Sequence, residues 1–285
     1  MIPARLKDED LLNEVERFAD DETNFHLWWL GQSGYLLTYK GQRILLDPYL
    51  SDSLTVKYAN TSKPHVRMSE RVIDPVLLKN ISIVTSSHNH TDHLDGDTLI
   101  PLLKNNPDIK FIIPEANRKF VCARVKCDDL FPVGLDDGGS VTIGSFTFYG
   151  VPAKHNEIEK DDQGRCLFMG YVIRFGRWTI YHSGDTLLYE GMEKMLKPYN
   201  IDVALLPING NDLSRGVAGN LNAHEAVSLA KSAGIGLVIP CHYDMFTFNT
   251  ADPAEFALVA NHANQPYECE DQQRDASRHE WHCNG

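Results

Sequence analysis

The sequence predicts an α/β protein folded as a four-layer αββα sandwich, and three observations lead there. Both halves of the chain run from β-hairpins into alternating strand and helix units. The strand candidates are short, apolar and rich in β-branched residues, with Gly-containing turns between them. At 285 residues, 42% hydrophobic and 9% aromatic, the chain can bury a large core without disulfide help. One domain over residues 1–285 is expected, with an irregular polar tail from about residue 267.

The elements follow in order. MIPARLKDEDLLNEVERF opens the chain as an acidic amphipathic helix. Runs at 25–31, 35–41 and 43–50 form a meander, and the polar stretch 51–80, with two prolines, has no clear period. ISIVTSS (81–87) is a buried strand that stops at a cluster of His and Asp. DTLIPLLKNN then predicts a short helix, KFIIPEA a strand and NRKFVCARVKC a second helix. The second half restarts with hairpins at 141–151 and 171–185, whose Ile-Gly-Ser and Phe-Gly-Arg junctions are turn signals. GMEKMLKPY is helical, 202–209 is a buried strand, 222–234 is a helix ending at Gly234, and 237–244 is the last strand. Asp252-Pro253 opens a final helix.

Charge and composition exclude several classes. Lys and Arg number 27 against 39 Asp and Glu, a net charge of −12, and no dense basic stripe suits nucleic acid. No run reaches the roughly 18 apolar residues of a membrane helix, and the acidic start is not a secretory leader, so a cytoplasmic protein is expected. Six cysteines without paired close spacing predict reduced thiols. The tail carries Cys269, His279, His282 and Cys283, but not at finger spacing. The expected partner is a small-molecule substrate; a homo-oligomer is compatible with the composition.

The most informative stretch is Ser87-His88-Asn89-His90-Thr91-Asp92-His93-Leu94-Asp95. Imidazoles and carboxylates without thiolates suit a divalent metal such as zinc, manganese or iron, and not a structural zinc finger. In extended chain His88 and His90 share one side, and a helix starting at Asp92 would turn Asp92 and His93 toward a second ion. Three other strand ends offer ligands: His155 in AKHNE, Asp185 in YHSGDT and His242 in PCHYD.

HNHTDH followed by a later His, a Gly-Asp after a strand and a final His resembles the metallo-β-lactamase superfamily, over almost the whole chain. The resemblance implies the metallo-β-lactamase fold, with His88, His90 and His155 on one ion, Asp92, His93 and His242 on another, and Asp185 bridging. TIYHSGDT, IDVALLPINGN, VIPCHYDMFTFNTADPAEF and WWLGQSG resemble the L-ascorbate-6-phosphate lactonase family in particular. HNHTDHLD and HSGDT also resemble the N-acyl-phosphatidylethanolamine phospholipase branch, which cleaves phosphodiesters. An iron-dependent redox enzyme uses the same scaffold, although His90 stands where the flavodiiron type has Glu.

The implied function is a dinuclear metal-dependent hydrolase that directs a hydroxide, shared by two ions about 3.5–4 Å apart, at a lactone or phosphate-containing ester. His182 is a candidate proton donor beside Asp92 and Asp185, with a packing role as the alternative. Asp47 and Asp95 are candidates to fix ligand imidazoles, with a turn and a helix cap as the respective alternatives. Arg215 and Lys154 are expected to meet a substrate anion, and Asn209, Asn211 and Tyr243 to line the pocket. Cys241 is expected in the core, opposite His242 across the strand.

Overall fold

A computed structural model describes residues 1–217 and 219–269. The first sheet contains β1 (His26–Gly31), β2 (Gly34–Tyr39), β3 (Gln42–Leu46), β4 (Ile81–Thr85), β5 (Lys110–Pro114) and β6 (Val133–Leu135), in that spatial order. The second contains β7 (Ser140–Ile143), β8 (Phe146–Pro152), β9 (Met169–Phe175), β10 (Trp178–His182), β11 (Val203–Pro207) and β12 (Leu237–Cys241), again in chain order. Each begins as an antiparallel meander and continues in parallel strands. Parallel neighbours need crossovers, and helices supply most of them.

Alternation along the strands separates the layers. Tyr35 and Leu37 of β2, with Ile44 and Leu46 of β3, face the core between the sheets. Leu36 and Leu45 point the other way, into a core shared with α1 (Glu9–Arg17), α3 (Gly96–Asn105) and α4 (Arg118–Val125). The second sheet is covered by α6 (Ala223–Ala233) and α7 (Pro253–His262), which pack on each other, with α5 (Met192–Leu196) beside them. Two mixed sheets flanked by helices make the four-layer αββα sandwich of the metallo-β-lactamase fold.

Local chemistry sets the helix ends. Asn222 and Glu225 close a capping box at α6, and Gly234 ends it at φ 75°. Asp252 caps α7 by accepting from the Ala254 amide. Two elements have weak sequence signals and appear only in the structure: α2 (Ser53–Tyr58), inside the aperiodic stretch, and the three-residue β6. Both take their place from packing; Leu54 of α2 is buried against Tyr49, Met245 and Phe246.

Strands β1, β3, β4, β8, β10 and β12 run in a common sense within their sheets, so their carboxyl ends share one edge of each sheet. Gln32, Asp47, His88, His155, Asp185 and His242 all lie in the segments that follow these ends. Ligand sites of open α/β sheets characteristically form there. Among the described residues, no helix is long and apolar enough to cross a membrane.

Candidate metal centre

The loop after β4 is fixed before any ligand enters it. Asp47 follows β3, is fully buried and sits at φ 40° before Pro48. Its carboxylate accepts from Thr85 Oγ1 at 2.8 Å, from the Ser87 amide at 3.0 Å and from the Ser87 hydroxyl. Asp47 Oδ2 also lies 2.8 Å from His93 Nδ1, which fixes that ring and turns its Nε2 toward the site. Burial opposes the charge on Asp47, but the His182 and His93 imidazoles outweigh it and keep the carboxyl below its usual range.

The segment 88–94 is a set of turns, and α3 begins at Gly96, where DTLIPLLKNN predicts its helix, so Asp92 and His93 stand in the turn before it. Backbone bonds from His93 and Leu94 to the His90 carbonyl bend the chain so that it presents ligands to two places. Arg124 holds the bend from outside, donating to the carbonyls of Asn89 at 2.7 Å and Leu94 at 3.2 Å.

Two donor groups result. In the first, His88, His90 and His155 form a triangle of rings with centroids 4.7, 4.9 and 5.3 Å apart, against Phe168. His155 Nδ1 contacts the Gly219 carbonyl at 3.0 Å. Burial lowers the His88 pKa well below its ordinary value and brings His155 to about 4, so these rings are neutral donors.

The second group is Asp92, His93, Asp185 and His242. His93 Nε2 lies 3.1 Å from Asp185 Oδ1, while His242 Nε2 lies 3.2 Å from Asp185 Oδ2 and 3.6 Å from Asp92 Oδ2. Burial disfavours charge here too, yet Asp185 overcomes it and raises His242 to about 9 and His93 well above its ordinary value. Conversely, burial would raise Asp185, but His242 and His93 hold it well below the usual carboxylate range. Asp185 also reaches the first group, with Oδ2 3.7 Å from His155 Nε2.

Divalent metal ions fit this arrangement. Among the described residues, His88 Nε2, His93 Nε2 and Asp185 Oδ1 are buried without a hydrogen-bond partner. The latter two approach to 3.1 Å but do not align as a hydrogen bond. Groups so placed are costly unless something else satisfies them, and two clusters of imidazole and carboxylate are suitable donors for divalent cations. Gln32 and His242 add backbone strain, at φ 54° and 66°, of the kind that collects at functional sites.

The donors face a cavity of about 530 Å3. Leu54, Tyr58, Phe120, Val217 and Phe246 give it apolar walls, and Lys57 and Arg124 are its cationic side chains. Among the described residues neither cation is in an ion pair with an acid. Sequence reasoning missed these wall residues, since they come from α2, α4 and loops with no chemical motif. Gln32 also lines the cavity and was missed, although it sits between the glycines of WWLGQSG.

Several expected roles move. His182 is fully buried, its Nε2 contacts the Ser33 carbonyl at 2.8 Å, and it does not line the cavity; it braces the β1–β2 turn instead of meeting substrate. Asp95 touches no ligand imidazole: it caps α3 through the Thr98 amide at 3.0 Å and accepts from Ser53 Oγ at 2.9 Å. Arg215 is committed to the Asn249 side chain at 2.6 Å and the Asn209 carbonyl at 2.7 Å, and clamps its loop outside the cavity. Asn209 is buried behind Asn249, which does line the cavity. Asn211 packs against Gly219, Tyr243 is buried on Trp29, and Lys154 lies 3.7 Å from Glu157; none of the three lines the cavity. Cys241 is in the core, as its strand position implied. Cys122, Cys127, Cys166 and Cys241 are free thiols; His279, His282 and Cys283 lie outside the described residues.

Comparison with known proteins agrees with this geometry. Residues 42–243 match the model of the β-lactamase superfamily domain. The chain belongs to this metallo-β-lactamase superfamily and, within it, to the metal-dependent hydrolases of the UPF0173 group. It is 30% identical over 232 residues to a UPF0173 metal-dependent hydrolase of Archaeoglobus fulgidus, covering 80% of this chain and 87% of that one. A UPF0173 relative from Opitutus terrae is 31% identical over 245 residues, covering 84% and 94%. Among solved structures, Igni18, a metallo hydrolase from Ignicoccus hospitalis, has a TM-score of 0.62 at 24% identity, covering 88% of this chain and 96% of that one. An isothiocyanate hydrolase from Delia radicum gut bacteria has a TM-score of 0.68 at 19% identity, with 86% and 96% covered. At these identities the structures share the fold.

Proposed function

We propose that the protein is a dinuclear metal-dependent hydrolase acting on a small-molecule lactone or phosphate-containing ester. The observation that carries this reading is the convergence of seven ligand-capable side chains into two adjacent groups, with donor atoms in each within 4.8 Å of one another, below one cavity. His88, His90 and His155 would hold one ion, Asp92, His93 and His242 the other, and Asp185 would reach both. Bound there, divalent ions such as zinc, manganese or iron lower the pKa of water toward about 7 and polarise the electrophilic oxygen.

The chain's own residues do the rest. Asp47 fixes His93, the Gly219 carbonyl fixes His155, and Asp185 sets the separation of the two groups. Leu54, Tyr58, Phe120 and Phe246 offer apolar surface to the nonpolar part of a substrate beside the polar donors. Asp92 lines the cavity beside His242 and is the candidate carboxylate for proton transfer. No serine or cysteine nucleophile is required.

Lys57, in no close ion pair among the described residues, and Arg124, whose Nη1 is engaged at the Asn89 and Leu94 carbonyls, favour a substrate that carries a phosphate. This supports a sugar-phosphate lactone, as in the L-ascorbate-6-phosphate lactonase resemblance, or a phosphodiester. The test is elemental analysis of the purified protein with a hydrolysis screen over lactones, phosphodiesters and sugar phosphates, with zinc, manganese and iron added separately. About two ions per chain and chelator-sensitive hydrolysis are expected. A metal-free protein that binds ligands without turnover would overturn the proposal, and oxygen-dependent turnover with iron would assign a redox enzyme.

A further inference from the structure

Gln32 stands at the tip of the β1–β2 hairpin and is 1% exposed. Its backbone carbonyl accepts from Trp29 Nε1 at 2.9 Å and from the His242 amide at 3.0 Å. His182 braces the next residue through the Ser33 carbonyl. This framework keeps a non-glycine residue at φ 54° and drives its side chain into the second donor group. There Gln32 Nε2 donates to Asp92 Oδ2 at 2.9 Å and lies 3.0 Å from His242 Nε2. Its Oε1 is buried without a hydrogen-bond partner among the described residues.

Those distances have a second meaning. Donors bonded to one divalent ion at about 2.1 Å stand about 3.0 Å apart at right angles and about 3.4 Å apart in a tetrahedron. The end of the Gln32 amide keeps that separation from two ligand-capable atoms at once. A half-turn about the last side-chain bond exchanges Nε2 and Oε1 at almost no steric cost. With a cation between Asp92 and His242, an N–H in that place turns a positive edge toward the cation and finds no lone pair left on His242 Nε2, whereas an oxygen adds a donor.

We propose that Gln32 Oε1 joins Asp92, His93, Asp185 and His242 as an oxygen ligand of the second ion. The inference rests on the ligand assignment above and adds a consequence to it. The first group offers three imidazole nitrogens and the edge of Asp185, a set that suits tetrahedral zinc. The second then offers two nitrogens and three oxygens, which favours a harder, higher-coordinate ion such as manganese or ferrous iron. The two ions differ in kind, and Gln32 contributes to the difference.

The test uses the full-length protein stripped of metal and titrated with Mn2+, with the electron paramagnetic resonance signal of the free ion reporting occupancy. Gln32→Ala should weaken the second Mn2+ by about tenfold or more and leave Zn2+ at the first group unchanged. Gln32→Glu should tighten the second Mn2+, because a carboxylate keeps the oxygen and adds charge. If Gln32 only donates a hydrogen bond to Asp92, the Glu variant instead repels Asp92 and weakens the ion, which overturns the inference. Unchanged Mn2+ affinity in Gln32→Ala, in a wild type that binds two ions, overturns it alone. A wild type with no second ion overturns the ligand assignment as well. Should either variant fail to fold, the crystal structure of Mn2+-loaded wild type decides. A Gln32 oxygen at about 2.0–2.3 Å from the ion supports the proposal, and a separation beyond about 3 Å refutes it.

Discussion

The two donor groups sit side by side, yet they are built by different physics. His88, His90 and His155 are neutral rings whose pKa values burial depresses, held by packing on Phe168, by the Gly219 carbonyl at His155 and by the Ser87 hydroxyl 3.0 Å from His88 Nδ1. Asp92, His93, Asp185 and His242 are a charged network in which carboxylates and imidazoles stabilise one another's ionised forms against burial. The first group is held by ring packing and two hydrogen bonds from uncharged groups. The second is cross-braced by Asp47, Gln32 and its own ion pairs. A ligand lost from the first should therefore act locally, and a ligand lost from the second should spread.

Asp185→Asn tests the one residue that reaches both groups, and the largest effect is expected there. A neutral amide removes the charge facing His93, His242 and His155, so occupancy of both groups should fall. Hydrolysis should drop by more than about 100-fold, beyond the range typical of groups that only support a ligand. Elemental analysis beside turnover checks it, and full activity with two ions retained would remove Asp185 from its shared position.

Next in size is His88→Ala, which should leave one ion per chain instead of two. The sheets should persist by circular dichroism, because the loop lies beyond β4 and outside the two large cores. Unchanged stoichiometry would show that the first group is not a metal site. Loss of both ions would show that the groups are not independent.

Asp47→Asn bears on the bracing of the second group. Its metal affinity should fall by about 10- to 100-fold through a less firmly oriented His93, with a smaller loss at the first group through Ser87, whose hydroxyl meets both Asp47 and His88 Nδ1. Stability should fall by about 1–3 kcal/mol, since the buried Ser87 and Thr85 donors lose a charged acceptor. Metal titration and denaturant unfolding separate the two effects.

The smallest effect belongs to Arg215→Ala, outside both groups. It should cost about 1 kcal/mol of stability through the lost loop clamp, without changing ion content. Losses on phosphorylated and neutral substrates should be equal. A selective loss on phosphorylated substrates would restore Arg215 as an anion contact and displace Lys57 and Arg124 from that role.

Much of this was legible in the sequence because the relevant signals are local. Alternation and turn residues at 141–151 and 171–185 mark hairpins through the chemistry of each short segment. The cluster 88–93 places its ligands within six residues, and Cys241 before His242 follows strand alternation. The roles of Asp95, His182 and Arg215 were not legible, since each depends on what stands opposite. Asp95 meets the amides of α3, His182 meets the Ser33 carbonyl, and Arg215 meets Asn249, 34 residues away.

By itself the sequence determined the four-layer architecture, the metal-ligand chemistry and the loop that carries most of it, because hydrophobic period and ligand density are properties of contiguous residues. Only the tertiary structure decided which residues line the cavity, how the donors divide into a neutral and a charged group, and that Gln32 belongs beside Asp92 and His242. Gln32 and His242 lie 210 positions apart and meet through a backbone bond across two strand ends. No local pattern encodes such a meeting; strand order and the shared edge of the sheets impose it.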